Sequence, residues 1–233
     1  MTAANSIRQE ISSLLQGYAE AHEFVHKLSE LGELLFFGGA IRDYYINKSY
    51  ASMPRDFDIA INLNADQDEI SFSLWLSAYT HRKNRFGGYK LVIENLEFDI
   101  WEMKNTWAFK EQLLPAAEEN LVKTVYLNID AVAYNFNKDI LYKDDFMKSI
   151  EEKTIDIVLE HNPHTTLNLL RAMMFRQKYG MGYSNRLKSA FLDHIHANQE
   201  FDTELYRVQL SHYKRECIGL HQIREELTNL THT

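Results

Sequence analysis

Two aspartates one residue apart, Asp56 and Asp58, lie in the run Arg55-Asp56-Phe57-Asp58-Ile59-Ala60-Ile61 after Pro54. Acidic and apolar residues alternate there with the period of a β-strand. Asp56, Asp58 and Ala60 therefore face one side, and Phe57, Ile59 and Ile61 the other. The two carboxylates stand side by side, with Cα atoms ~6.5 Å apart. Like charges at that spacing repel, and a hard divalent cation between them removes the repulsion. Magnesium suits such oxygen ligands, and manganese could replace it. Alone, the pattern also describes an exposed polar strand face, so the reading depends on what accompanies it.

Lys90 to Ile93 and Leu96 to Trp101 read as a hairpin turning at Glu94-Asn95. Parity puts Glu97, Asp99 and Trp101 on one face of the second strand, and Phe98 and Ile100 on the other. If this strand lies near the first, Asp56, Asp58 and Asp99 form a set able to hold two metal ions. Such ions lower the pKa of an acceptor hydroxyl and stabilise a pyrophosphate leaving group. Upstream, Phe37-Gly38-Gly39-Ala40-Ile41-Arg42-Asp43 ends a short apolar strand in two glycines and opens a helix. Glycine lets the backbone approach a ligand, and a helix N-terminus offers N–H groups and a positive dipole end to phosphate. Arg42, in the first turn, could meet triphosphate oxygens.

Gly38-Gly39-Ala40-Ile41-Arg42-Asp43 followed by Arg55-Asp56-Phe57-Asp58-Ile59-Ala60 resembles the head-domain signature of the poly(A) polymerase and CCA-adding enzyme family, within the polymerase β-like nucleotidyltransferase superfamily. The resemblance extends through Arg85-Phe86-Gly87-Gly88, Phe98-Asp99-Ile100-Trp101, Ile129-Asp130-Ala131-Val132-Ala133-Tyr134 and Leu170-Arg171-Ala172-Met173-Met174-Phe175, spanning residues 34–180. It implies an α+β fold: a mixed sheet flanked by helices, then a helical, neck-like region. It also implies metal-dependent transfer of a nucleoside monophosphate from an NTP to an acceptor, with release of pyrophosphate. Asp56 and Asp58 would ligate both Mg2+ ions, and Asp99 would be the third carboxylate. Gly38, Gly39 and Arg42 would hold the triphosphate, with Asp130 and Arg171 as further nucleotide-binding positions.

The departures from the family are specific. CCA-adding members carry an Arg-Arg-Asp run before a Phe-Thr-Ile-Asn stretch. The matching segment here, Thr124-Val125-Tyr126-Leu127-Asn128-Ile129-Asp130, has neither the arginines nor that aspartate. The Asp and Arg that read the incoming base correspond to Thr165 and Asn168, while Arg171 is kept. The expectation is a complete metal site with altered base-reading residues. CCA-adding members also carry further helical domains that hold tRNA, so the expected acceptor is something else: a small molecule, a protein side chain, or an RNA 3′ end presented by a partner protein. The competing expectation is a binding or regulatory module that keeps the fold without catalysis.

The elements that must position these residues follow from periodicity. Apolar spacing from Ile7 to Leu31 predicts one or two amphipathic helices, stopped by Gly32. Leu34 to Phe37 reads as a strand, Ala40 to Ile46 and Ile70 to Tyr79 as helices, and Trp107 to Glu119 as a helix interrupted near Pro115. Leu127 to Phe136 and Ile140 to Tyr142 read as strands. Helices are expected over Asp145 to Glu152, His164 to Tyr179, Ser184 to Ala197 and Asp202 to Leu230. The expected division is a nucleotidyltransferase-like domain over 1–143 and a helical one over 144–233.

Composition bounds the rest. The chain has 233 residues, enough for a sizeable core, and a formal net charge of -8. Proteins that grip long nucleic acids by their phosphates usually carry a basic surface, which this balance does not supply. The cluster Arg171, Arg176, Lys178, Arg186 and Lys188 reads as a solvated helix face. No stretch is apolar enough for a membrane span, the N-terminal region has no secretory pattern, and the single Cys217 cannot form an internal disulfide. A cytoplasmic location is expected. The histidine spacings, such as His161/His164 and His194/His196, match no zinc motif.

Overall fold

The structure, a computed structural model, describes residues 3–47, 54–84 and 87–232. It forms two compact units, Met1–Thr124 with Asp130–Asp144, and Val125–Ile129 with Asp145–Thr233. Arg85 and Phe86, part of the family resemblance, lie outside the described residues.

In the first unit the leading amphipathic stretch resolves into two helices, α1 (Ala3–Gln16) and α2 (Ala19–Leu31). Gly32 ends α2 and opens β1 (Gly32–Phe37). A Cβ at Gly32 would sit 2.4 Å from the Asn62 carbonyl oxygen, so only glycine lets the first rung of β1 form. Then come α3 (Gly39–Asn47), β2 (Asp56–Leu63), α4 (Glu69–Leu76), β3 (His81–Lys83), β4 (Tyr89–Ile93) and β5 (Leu96–Glu102). The short helices α5 (Trp107–Lys110) and α6 (Glu118–Leu121) flank Pro115, and β6 (Ala133–Asn135) and β7 (Ile140–Tyr142) close the unit.

The seven strands are ordered β3-β4-β5-β2-β1-β6-β7. Only β2 and β5 pair in parallel, and the other pairs are antiparallel, which makes the sheet mixed. The β4–β5 hairpin turns on Glu94 and Asn95, both with positive φ (48° and 68°), the two-residue turn that matches strand twist. The expected strand over Leu127 to Phe136 is much shorter. Its first part turns as a 3-10 helix over Asn128–Asp130, and only Ala133–Asn135 joins the sheet. β3 was not anticipated from the sequence, because His81-Arg82-Lys83 has no apolar alternation.

One face of the sheet is dry. Phe36, Phe57, Ile59, Phe98 and Ile100 are fully buried there. Phe57 stacks on Phe98 at 5.4 Å, Phe24 of α2 meets Phe98 at 5.5 Å, and Phe36 meets Phe57 edge-on at 6.1 Å. Each such ring pair adds about 0.5–1.5 kcal/mol beyond its buried area. The other face is polar. Its half-buried residues include Asp56, Asp58, Glu97, Asp99 and Trp101.

Towards the opposite ends of β1 and β2 this polar face carries Glu33 and Asn62, paired in register, and Asn135 of β6. Glu118 of α6 is buried against them. It accepts hydrogen bonds from Asn135 Nδ2 (2.9 Å), Lys138 Nζ (2.9 Å) and Tyr142 Oη (3.1 Å). Burial alone would raise the Glu118 carboxyl. The bonds it makes with Glu33, Lys138, Asn135 and Tyr142 outweigh that and push it down from 4.5 to about 2.

The second unit contains α7 (Asp144–Glu152, from Asp145 on), α8 (Thr165–Tyr179), α9 (Asn185–Ala197), α10 (Phe201–Tyr213) and α11 (Leu220–Thr231). Thr154–Ile155 (β8) and Gly182–Tyr183 (β9) add a small parallel ladder. Residues 125–129 join this unit through backbone bonds: Val158 N–H donates to the Tyr126 carbonyl (2.8 Å) and Asn128 N–H to the Asp156 carbonyl (2.9 Å). The helix expected over Asp202 to Leu230 is two helices. It breaks at Lys214 (φ 56°), and the linking loop is tied down by buried Gln209, which bonds Cys217 N and Ile218 N and O. α8 ends at Gly180 in the left-handed conformation (φ 64°). Among the described residues no helix is long and apolar enough to cross a membrane.

Two outcomes follow for stability. Phe98→Ala should cost about 3–5 kcal/mol, read as a lower urea midpoint with retained helical circular dichroism at low urea. Glu118 has a depressed folded pKa, so its contribution is present above about 4.5 and fades as pH falls towards 2. Glu118→Gln should therefore be less stable than the parent at pH 7, and the difference should shrink through that interval.

Candidate active site

The polar face at the start of β2 and β5 gathers the acidic residues. In the parallel register Asp58 lies beside Asp99, and Asp56 beside Glu97. Directly paired residues share a face, so Asp56, Asp58, Asp99 and the additional Glu97 crowd one patch. Burial pushes the Asp99 carboxyl above the ordinary carboxylate value. The negative charges of Asp56 and Glu97 push it the same way, and Lys90 opposes them.

Both ends of this patch are held by cations. Arg55 pairs with the Asp56 carboxylate. Lys90 Nζ lies 3.1 Å from Glu97 Oε2 and 3.4 Å from Asp99 Oδ2. As the side chains stand, no three carboxylate, histidine or cysteine groups among the described residues close around a single metal position. The backbone brings the acids together, while the carboxylates of Asp56 and Asp99 are turned onto Arg55 and Lys90. The donor set itself is chemically suited to a hard divalent ion: all oxygen, on one face of two adjacent strands.

The glycine turn abuts this patch. β1 runs antiparallel to β2 with Phe37 opposite Asp58, so the chain leaves the sheet at Gly38 right beside that aspartate. Gly38 has φ +60° and donates its N–H to the Val132 carbonyl (3.1 Å). A Cβ built on it would lie 3.8 Å from Asp58 Oδ2. α3 starts at once, with Arg42 N–H bonded to the Gly38 carbonyl (2.9 Å). The N–H groups of Gly39, Ala40 and Ile41 have no carbonyl one turn back within the helix.

Arg42 is placed differently from the sequence-based expectation. Its guanidinium is only 8% exposed and donates to Asp130 Oδ1 (2.5 Å) and Asp43 Oδ1 (2.9 Å). Asp130, expected near the nucleotide, is thus the partner that pins Arg42 and with it the first turn of α3. Arg171 belongs to the second unit, on α8, where its guanidinium lies over the Phe175 ring at 5.2 Å. Thr165 opens α8, and the Asn168 side chain bonds Asn162 (2.9 Å). Of the aromatic residues near the patch, Tyr44 is buried. Trp101 shares the face of Asp99, and its indole donates to Thr106 Oγ1 (2.9 Å).

The sequence reading put Glu97 on the face of Asp99 without giving it a role and did not single out Lys90, yet hairpin arithmetic contained the pairing. A two-residue turn at Glu94-Asn95 pairs Ile93 with Leu96, and counting outward pairs Lys90 with Asp99. Arg42 bonding to Asp130 had no comparable signal, since 88 residues separate them.

Residues 34–148 match the sequence model of the Poly A polymerase head domain. Solved structures of similar fold include a CCA-adding enzyme in an apo form (TM-score 0.62, 17% identity, covering 95% of this chain and 54% of that one). The Thermotoga maritima CCA-adding enzyme complexed with tRNA is similar at TM-score 0.58 and 16% identity, over 90% of this chain and 51% of that one. A tRNA-processing enzyme with CTP gives TM-score 0.56 and 18% identity, over 86% and 53%. The chain spans about half the length of these structures, and at such identities the likeness is one of fold. No curated protein matches it in sequence.

The buried Arg42 contact gives a direct test. Asp130→Asn should cost about 1–3 kcal/mol, the penalty for leaving a buried charge short of one partner. Asp43→Asn, whose carboxylate is 38% exposed, should cost less. Chemical denaturation of the two variants checks the order.

Proposed function

We propose that this chain, whose residues 34–148 match the Poly A polymerase head domain, is a nucleotidyltransferase that moves a nucleoside monophosphate from an NTP to an acceptor and releases pyrophosphate. One observation carries the reading: Asp58 and Asp99 lie side by side on adjacent parallel strands, directly under the glycine turn that opens α3. A purely structural sheet has no use for like charges gathered on neighbouring rungs, because each costs free energy to desolvate beside the other.

Each group of the chain then has a task. The first-turn N–H groups of α3 receive triphosphate oxygens, and Gly38 and Gly39 leave room for them. Arg42, held by Asp130 and Asp43, fixes the orientation of that turn. Asp56, Asp58 and Asp99 would hold divalent magnesium ions, which when bound acidify an acceptor hydroxyl and neutralise the leaving pyrophosphate. Asp99 would lie on the acceptor side and accept the hydroxyl proton as that oxygen attacks the α-phosphorus and the bond from the α-phosphorus to the bridging oxygen breaks, releasing pyrophosphate. Residues 1–143 would carry the chemistry. The changed base-reading positions, Thr165 and Asn168, favour an acceptor or base preference unlike that of the tRNA-directed relatives. The acceptor would be an RNA 3′ end, a small molecule or a protein side chain.

The test is transfer of label from α-labelled NTPs, in magnesium, to RNA oligonucleotides and to the protein itself. Asp56→Ala combined with Asp58→Ala should abolish transfer, and Asp99→Asn should lower it by about 100-fold or more, as loss of a group acting in the transition state does. Full transfer by the double variant would sink the assignment. Magnesium-independent NTP binding without turnover would instead favour a non-catalytic binding module.

A further inference from the structure

We propose that Lys90 is an internal counter-ion for Asp99, which a divalent cation must displace, and that Glu97 is the seat onto which the ammonium moves. The proposal rests on the reading above that Asp99 is a metal ligand, and deepens it by naming what controls access to that ligand.

The hairpin sets the geometry. Lys90 is directly opposite Asp99 across β4–β5 and diagonal to Glu97, a span that a long side chain covers. Its Nζ touches both carboxylates at once, Glu97 at 3.1 Å and Asp99 at 3.4 Å. The Lys90 side chain is 45% exposed, so it is held more by charge than by packing. Four flexible methylenes let it leave Asp99 while keeping Glu97.

A singly charged ammonium in this position has two effects. Without metal it compensates Asp99 and lets β5 lie beside the acidic start of β2. When a doubly charged ion approaches, the attraction of the clustered carboxylates for it exceeds that for the ammonium, since Coulomb energy scales with charge. Glu97 lowers the cost of the exchange, because Lys90 moves from a shared pair to a private one instead of into water. Lys90 is therefore a positioning residue for the Asp99 carboxylate, and Glu97 its acceptor.

The experiment titrates the full-length chain with MnCl2 and follows free Mn2+ by electron paramagnetic resonance, with no nucleotide present. Lys90→Gln should bind Mn2+ about threefold more tightly or better, the order expected on removing a half-exposed competing charge. Glu97→Gln should weaken binding, because Lys90 is then left on Asp99 alone. In the Lys90→Gln background the same Glu97 change should have a clearly smaller effect, a non-additivity that loss of one negative charge in isolation would not give. Thermal unfolding of each variant confirms that the comparison is between folded proteins. Lys90→Gln binding Mn2+ no more tightly than the parent overturns the proposal. So does a Lys90→Gln variant that leaves Mn2+ unchanged and weakens ATP binding, which would make Lys90 a nucleotide contact. A different failure marks the underlying reading: Mn2+ binding that is undetectable in parent and Lys90→Gln alike, or that survives Asp56→Ala plus Asp58→Ala, removes the metal site itself and the Lys90 role with it.

Discussion

The arrangement turns on the parallel pairing of β2 with β5. Every other neighbouring pair in the seven-stranded sheet is antiparallel. This one rung pattern sets Asp58 beside Asp99 and Asp56 beside Glu97. Shifting it by a single residue would send Asp99 to the face occupied by Phe98 and Ile100. The acidic patch therefore exists only because the opposite face holds the register. Phe57 and Phe98 stack on that face, with Phe24 and Phe36 packed around them. Apolar burial on one side thus maintains a cluster of like charges on the other.

The polar face is stabilised in two different ways along its length. Near the strand starts, charge is balanced by exposed cations: Arg55 on Asp56, and Lys90 between Glu97 and Asp99. Such exposed partners add little stability and can be exchanged. Towards the other end of β1 and β2, Glu118 is buried and saturated by Lys138, Asn135 and Tyr142. That network ties the short α6 onto the sheet.

Arg42 shows how a residue type can suit one role and be placed for another. An arginine in the first turn after two glycines is an obvious phosphate ligand. Here its guanidinium is buried and already divided between Asp43 and Asp130. The arginine thereby ties the first turn of α3 to the segment that carries Asp130. Asp130 belongs to the segment where the arginines of the CCA-adding family are missing, and its charge is spent on Arg42.

Local pattern alone determined a good part of this. Strict alternation around Asp56 and Asp58, the turn residues Glu94-Asn95, and the glycines closing β1 specified strands, hairpin and helix start, because each is decided by neighbours within a few residues. The same arithmetic even held the Lys90–Asp99 pair. What needed the tertiary structure were the non-local choices: that β5 inserts beside β2, that residues 125–129 bond to 156–159 instead of extending β6, and that Asp130 meets Arg42 across 88 positions. Such pairings are set by which buried faces fit together in the folded chain, and no spacing along the sequence encodes that fit.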